Sequence, residues 1–247
     1  MCGRTTHDMT WEEIWSLYTF GKPPKRDQPN SYHDSWNVAP TTINPVCRLD
    51  KDGERDIAML RWGLVPIWAK NLKFGMSCIN ARDIDEKGVT IAERPAFRAA
   101  FKSRRCLVPA NLFYEWQAQA DPELPKRPYA IGLRDGTPMT FAGLWESWHD
   151  AVIKEPTPED WVHTYTIATT SPNALMAQLH NRMPVILAPE DWPAWLGEVE
   201  TTREQRLALL RPYPAEEMTA WPVTTDVNNS RNNRPDLIVP IGEPLAA

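Results

Sequence analysis

The sequence predicts an α+β fold: a β-rich single domain spanning residues 1–247, in which a curved mixed sheet or open barrel carries peripheral helices. Three observations predict it. Short apolar runs of strand length recur at 58–66, 77–82, 106–116, 129–133, 141–148, 163–170, 184–187 and 219–224, each bounded by Pro, Gly, Asn or Asp. The 24 prolines impose many rigid turns. Segments with helical periodicity are few and short, and no internal repeat is visible.

The first helix is expected over 11–19. Thr10 and Glu13 form a capping box, Trp11, Ile14, Trp15 and Tyr18 share one face, and Gly21 stops the helix. Residues 21–35 are Pro-rich, basic and aperiodic, a surface loop able to reach a phosphate backbone. Further helices fit at 93–102, at 172–180 and twice within 189–210. In the 93–102 segment Phe97 and Phe101 pack inward while Arg94, Arg98 and Lys102 line the other side, as a DNA-facing surface or simply a solvated one.

Composition bounds the function. Apolar residues make up 42% and charged residues 24%, too polar and interrupted for a membrane span, and the acidic start offers no signal peptide. Cys2, Cys47, Cys78 and Cys106 lack C-x-x-C spacing and are too few for a disulfide scaffold. They read as reduced thiols of an intracellular protein of the cytoplasm or nucleoid, with no metal and no cofactor expected. With a net charge of −5, a nucleic-acid partner must be held by a local basic patch. The 12 tryptophans serve either as core or as stacking surfaces for bases.

Met1-Cys2-Gly3-Arg4 is the first segment that carries chemistry. A small residue after the initiator methionine permits its removal, which leaves Cys2 with both a free α-amine and a thiol. An α-amine titrates near ~7.7–8 against about 10.4 for lysine, so at neutral pH it is nucleophilic on the order of several-hundred-fold more often. It can attack an aldehyde to give a Schiff base, and the thiol can then close a durable five-membered thiazolidine ring. Gly3 allows close backbone approach, and Arg4 sets a guanidinium beside the nucleophile to hold a phosphate and lower the thiol pKa. A Met-Cys start also arises by chance. Class II glutamine amidotransferases expose the same residue as a thiolate nucleophile, so the tetrapeptide alone leaves an N-terminal-nucleophile hydrolase open.

Other polar residues interrupt the apolar pattern. Glu115 sits between Tyr114 and Trp116, a setting that raises a carboxyl pKa toward general acid/base use; a solvated glutamate is the alternative. Asn80 and Arg82 share one strand face and suit sugar or phosphate contacts, or a structural ion pair. His180 falls between a helix and a strand, suited to proton transfer or to a structural role. The 226–235 loop, with Asn228, Asn229 and Arg231, and the 62–68 segment, with Trp62 and Trp68, could flank the gap left by a missing base. A protease pairing Cys2 or Cys106 with His180 is a further alternative, although Cys106 reads as a core thiol. So is a non-covalent single-strand binder that ignores Cys2.

Met1-Cys2-Gly3-Arg4, Asn37-Val38-Ala39-Pro40-Thr41, Trp62-Gly63-Leu64-Val65-Pro66, Ile79-Asn80-Ala81-Arg82, Arg104-Arg105-Cys106-Leu107-Val108-Pro109 with Phe113-Tyr114-Glu115-Trp116, Leu179-His180-Asn181-Arg182-Met183-Pro184 and Val227-Asn228-Asn229 follow one another along the chain. The series resembles the motifs of the SOS response-associated peptidase family, the abasic-site processing proteins, over about residues 1–237, leaving a short C-terminal tail. The resemblance implies a thiazolidine crosslink between Cys2 and the ring-opened sugar of an abasic site in single-stranded DNA, made by a monomer with no obligatory protein partner. It implies candidate catalytic roles for Cys2, Asn80, Glu115 and His180: Asn80 positions the sugar or N-terminus, Glu115 acts as acid/base and His180 moves protons. Arg4 and Arg82 would hold phosphates, with Trp62, Trp68, Asn228, Asn229 and Arg231 completing the DNA contacts. Lyase activity, crosslink reversal and autopeptidase removal of Met1 are also implied. One departure stands out. The family pattern places Glu two residues after its Asn-Ala-Arg, where this chain has Ile84 within Asp83-Ile84-Asp85, and a continuing strand would turn both aspartates to the opposite face.

Overall fold

The computed structural model describes residues 2–19, 21–25 and 27–246. In chain order its elements begin with β1 (Thr5–His7), α1 (Trp11–Thr19), β2 (Ser35–Val38), β3 (Ile43–Leu49), β4 (Arg55–Trp62), β5 (Asn80–Arg82) and α2 (Arg98–Ser103). There follow β6 (Arg105–Ala110), β7 (Phe113–Gln117), β8 (Arg127–Leu133), β9 (Met139–Trp148) and β10 (Val162–Thr170). The chain continues with α3 (Ala174–Ala177), β11 (Met183–Pro184), α4 (Trp192–Leu196), α5 (Arg203–Ala208) and β12 (Met218–Pro222).

The strands form two sheets. One is open, in the order β12-β8-β7-β1-β2, so the N-terminal strand lies inside the sheet and not at its edge. The other runs β11-β10-β4-β3-β6-β9, and β9 also pairs directly with β10. The circuit β10-β4-β3-β6-β9 therefore closes into a barrel, which leaves no free edge along those strands. Beside it β5 runs parallel to β10, with Asn80 opposite Ile167 and Arg82 opposite Thr169.

Two apolar cores hold this arrangement. Barrel and open sheet share one core containing Cys2, Trp62, Cys106, Phe113, Phe141, Tyr165, Ile167 and Met218. The outer barrel wall packs against the helices through Trp11, Trp15, Tyr18, Phe101, Trp192 and Trp195. The expected α1 face is buried, and its capping box is formed: Thr10 N–H donates to Glu13 Oε2 at 2.6 Å and Glu13 N–H to Thr10 Oγ1 at 3.2 Å. No helix among the described residues is long and apolar enough to cross a membrane.

The structure departs from the sequence reading in identifiable ways. The 106–116 run is two strands, β6 in the barrel and β7 in the open sheet, joined by a corner at Asn111-Leu112 where Thr6 N–H donates to Leu112 O at 2.8 Å. The helix expected at 93–102 starts only at Arg98, because Pro95 has no N–H and disfavours helical backbone at Arg94. Residues 72–78 form a 3-10 turn and not the start of a strand. The strands β1, β2 and β3 were not expected, since they are short, polar or interrupted by Pro45.

Candidate functional site: the buried N-terminal cysteine

Cys2 enters just ahead of β1 and is wholly buried in the core between the two sheets. Its carbonyl accepts a hydrogen bond from Asn80 Nδ2 at 2.8 Å, so β5 of the barrel grips the arm leading to the open sheet. Asn80 is itself buried, and its Oδ1 has no hydrogen-bond partner among the described residues. An acceptor in that state calls for an N–H or O–H from a further group. Burial pushes the Cys2 thiol well above its ordinary pKa, and the neighbouring Glu115 charge pushes it further, so the sulfur is held as S–H.

Glu115 projects from β7, where it pairs with Tyr129 of β8, and is 3% exposed. Burial raises its carboxyl pKa above the ordinary value, the direction that favours a general acid/base. His180 follows α3, which Asn173 caps by accepting from Met176 N–H at 2.9 Å and whose Leu175 and Met176 anchor in the core. The Arg182 N–H donates to His180 Nδ1 at 3.0 Å, so the neutral ring carries its proton on Nε2. Burial lowers the His180 pKa, and the cations Lys126 and Arg82 lower it further. Gln117 Nε2 donates to Gln178 O at 3.0 Å, tying the Glu115 strand to the His180 turn.

The polar loop near the C-terminus is fastened to the N-terminal arm. Arg4 Nη1 donates to Asn37 Oδ1 at 2.6 Å and to Val227 O at 2.8 Å, and Arg4 Nη2 to Asn228 O at 3.2 Å. Asn37 Nδ2 donates to the carbonyls of Val227, Asn229 and Asn232 at 3.2, 3.1 and 2.9 Å. A buried side-chain amide thus replaces the backbone pairing that the irregular loop cannot supply. Asn80 is thus bonded to Cys2, Glu115 acts on the Cys2 thiol, and the Gln117–Gln178 bond ties the Glu115 strand to the turn that carries His180.

The family model for SOS response associated peptidase (SRAP) matches residues 1–230 of this chain. The chain belongs to the SRAP family. A Bacillus subtilis (strain 168) relative named abasic site processing protein YoqW is 39% identical over 240 residues, which cover 96% of this chain and 99% of that protein. The Xenopus tropicalis abasic site processing protein HMCES is 31% identical over 272 residues, covering 98% of this chain and 78% of that protein. A crystal structure of a protein from Bacteroides thetaiotaomicron matches the fold with a TM-score of 0.81 at 23% identity, over 97% of this chain and 99% of that one.

Within this SRAP chain the expected DNA-facing residues divide. Trp68 is 55% exposed, its ring edge against Phe74, and can offer a stacking face. Trp62 corrects the expectation: it is 0% exposed, stacks on Tyr165 inside the barrel and donates Nε1–H to Ile79 O at 2.8 Å, so it supports the residue next to Asn80. Arg82 reaches outward to Glu86 at 3.4 Å, and Arg231 is exposed on its loop. The Asn228 side chain accepts from Trp116 Nε1 at 2.6 Å and that of Asn229 from Arg231 N–H at 3.1 Å, so both shape the loop. Arg4 is turned into the fold by the bonds described above.

Around Ile84 the alternation argument fails, because β5 ends at Arg82. Asp83 Oδ1 pairs with Arg182 Nη2 at 2.6 Å and its Oδ2 accepts from Thr170 Oγ1 at 2.9 Å, while Ile84 is exposed. Sequence reasoning also missed Asn37, whose only signal was an amide inside a strand-length motif, and the Gly63/Gly75 crossing. A Cβ on Gly75 would lie 2.4 Å from Gly63 O, so only two glycines let the 72–78 turn sit on the Trp62 corner and lead into Asn80.

Proposed function

We propose that this chain processes abasic sites in single-stranded DNA by covalent capture through Cys2 once Met1 has been removed. The α-amine of Cys2 attacks the C1′ aldehyde of the ring-opened sugar, and the carbinolamine loses water to leave an imine. The thiol then adds to the imine carbon: the sulfur–carbon bond forms, the S–H proton passes to nitrogen, and a thiazolidine results with no oxidant or reductant consumed. Glu115 supplies the proton that lets hydroxide leave as water, and His180 Nε2 serves the sugar hydroxyl during ring opening. Asn80 Oδ1 holds the attacking amine or a sugar hydroxyl.

The observation that carries this reading is the burial of Cys2 beside Glu115, with its carbonyl held by Asn80 Nδ2 at 2.8 Å. Burial and the nearby carboxyl push the thiol pKa upward, which suits a thiol that acts second, after the amine, better than the thiolate nucleophile of an amidotransferase or cysteine protease. Trp68 offers a stacking face, and the exposed Arg231 and the half-buried Arg82 offer cations along which a single strand can run. Strand cleavage by β-elimination, reversal of the ring and self-removal of Met1 belong to the same proposal, since each needs only the imine or the same proton-transfer groups. The protein acts as a monomer, one chain per lesion.

The test is direct. The protein, with Met1 loss verified by intact mass, is incubated with single-stranded DNA bearing one abasic site and resolved on a denaturing gel. A shifted band that is absent with Cys2→Ala is expected. No band with the wild-type protein, or an equal band with Cys2→Ala, would overturn the proposal.

A further inference from the structure

The Arg182 guanidinium is largely buried and gathered at the junction of three segments. Its Nη2 donates to Asp83 Oδ1 at 2.6 Å, to the Thr169 carbonyl, and to Thr169 Oγ1 at 3.4 Å. The main chain of the same residue donates the N–H that fixes His180 Nδ1, at 3.0 Å. One residue is therefore clamped by its side chain to the ends of β5 and β10 while its peptide sets the ring orientation of the histidine. Asp83 supplies the only carboxylate recorded on that guanidinium among the described residues, and Thr170 Oγ1 holds the second carboxylate oxygen at 2.9 Å. A guanidinium this enclosed does not keep its place without an anion, because an unpaired charge there loses its hydration for nothing in return.

We infer that Asp83 is a positioning residue for His180, acting through Arg182 to keep Nδ1 occupied as an acceptor and Nε2–H aimed at the reacting sugar. The inference rests on the proposed abasic-site reaction for its kinetic consequence and on geometry alone for its structural one. Among the described residues, the cations Lys126 ahead of β8 and Arg82 at the end of β5 act on the ring, and the Asp83–Arg182 pair adjoins it through the Arg182 peptide. The competing possibility is that the short pairing of β11 with β10, Met183 opposite Thr170 and Pro184 opposite Thr169, already holds the Arg182 peptide in place. In that case Asp83 contributes to folding alone.

The experiment compares Asp83→Asn and Thr170→Val with wild type. The first removes the charge and keeps the shape; the second removes only the hydroxyl that orients the carboxylate, so a folding failure in one does not silence the other. Nitrogen NMR of ring-labelled His180, which requires no DNA, is expected to show a single Nε2–H tautomer in wild type and a mixture of tautomers in Asp83→Asn. Single-turnover crosslinking of abasic single-stranded DNA should slow by roughly ten- to hundredfold, the cost of misplacing a reacting group, with affinity for a strand carrying a tetrahydrofuran abasic analogue unchanged. In a His180→Ala background Asp83→Asn should cost nothing more, because both changes remove the same function. An unchanged tautomer, or losses that simply multiply in the double variant, overturns the inference. Absence of any crosslink with wild type would instead refute the functional reading and leave the NMR result to stand or fall by itself.

Discussion

Glu115→Gln is expected to move stability and reactivity in opposite directions. In the folded protein Glu115 is 3% exposed and burial raises its carboxyl pKa, so the native state binds this proton more tightly than the unfolded chain does. Ionisation therefore costs stability. The cost is absent below the unfolded value of about 4.3, grows as pH rises above it, and is complete once pH exceeds the raised folded value. Glutamine keeps the shape and removes the charge. At neutral pH the variant should be the more stable of the two; each pKa unit of such a shift is worth about 1.4 kcal/mol, and for a domain of this size 1 kcal/mol is roughly 2–4 °C in melting temperature. Near the unfolded carboxyl value the two proteins should melt together. Crosslinking in a single-turnover quench should meanwhile slow by about 10²–10⁴-fold, the contribution of one positioned acid/base group. Melting curves across that pH range and one rate measurement decide the matter. A variant that melts below wild type at neutral pH, or that reacts at the wild-type rate, refutes the reasoning.

Four further outcomes are expected. Trp68→Ala should weaken binding to an undamaged single strand by about 1–3 kcal/mol, measured by fluorescence anisotropy, with no change in melting because the ring is exposed. Trp62→Ala should instead cost about 3–5 kcal/mol in urea unfolding, as a large core side chain does. Since burial lowers the His180 pKa, the ring stays neutral to lower pH than a free imidazole, so the acid limb of the crosslinking rate should fall below about 6.5 and vanish in His180→Gln. Its protonation opposes the fold, so the stability tied to this group is present above the unfolded value and is lost as pH falls from there through the lowered folded value. Gly75→Ala, with its Cβ driven to 2.4 Å from Gly63 O, should lower both the melting temperature and the crosslinking rate, because the turn it distorts leads directly to Asn80.

How far the sequence speaks depends on whether a feature is local. The α1 helix was legible because its cap and its apolar stripe lie within ten residues of each other. The barrel strands β4, β9 and β10 were legible because they are long and rich in apolar and β-branched residues. Closure of the barrel was not, since it depends on β9 meeting β10 while also meeting β6, a pairing with no local signature. The site was legible in its residue types and illegible in its burial. Trp62 and Trp68 sit six positions apart in one motif with the same side chain, yet one is core and the other surface. Asp83 was misjudged for a similar reason: alternation predicts direction only while a strand lasts, and β5 ends one residue earlier.

The hold of Arg4 and Asn37 on residues 227–232 has a consequence for the order of events during synthesis. The N-terminal arm leaves the ribosome first, but the strand it lies against, β7, and the loop that fastens it emerge much later. Throughout that interval the pocket around Cys2 does not yet exist. The cysteine is housed only when translation is nearly complete, so a nascent or C-terminally cut chain would carry Cys2 without its setting.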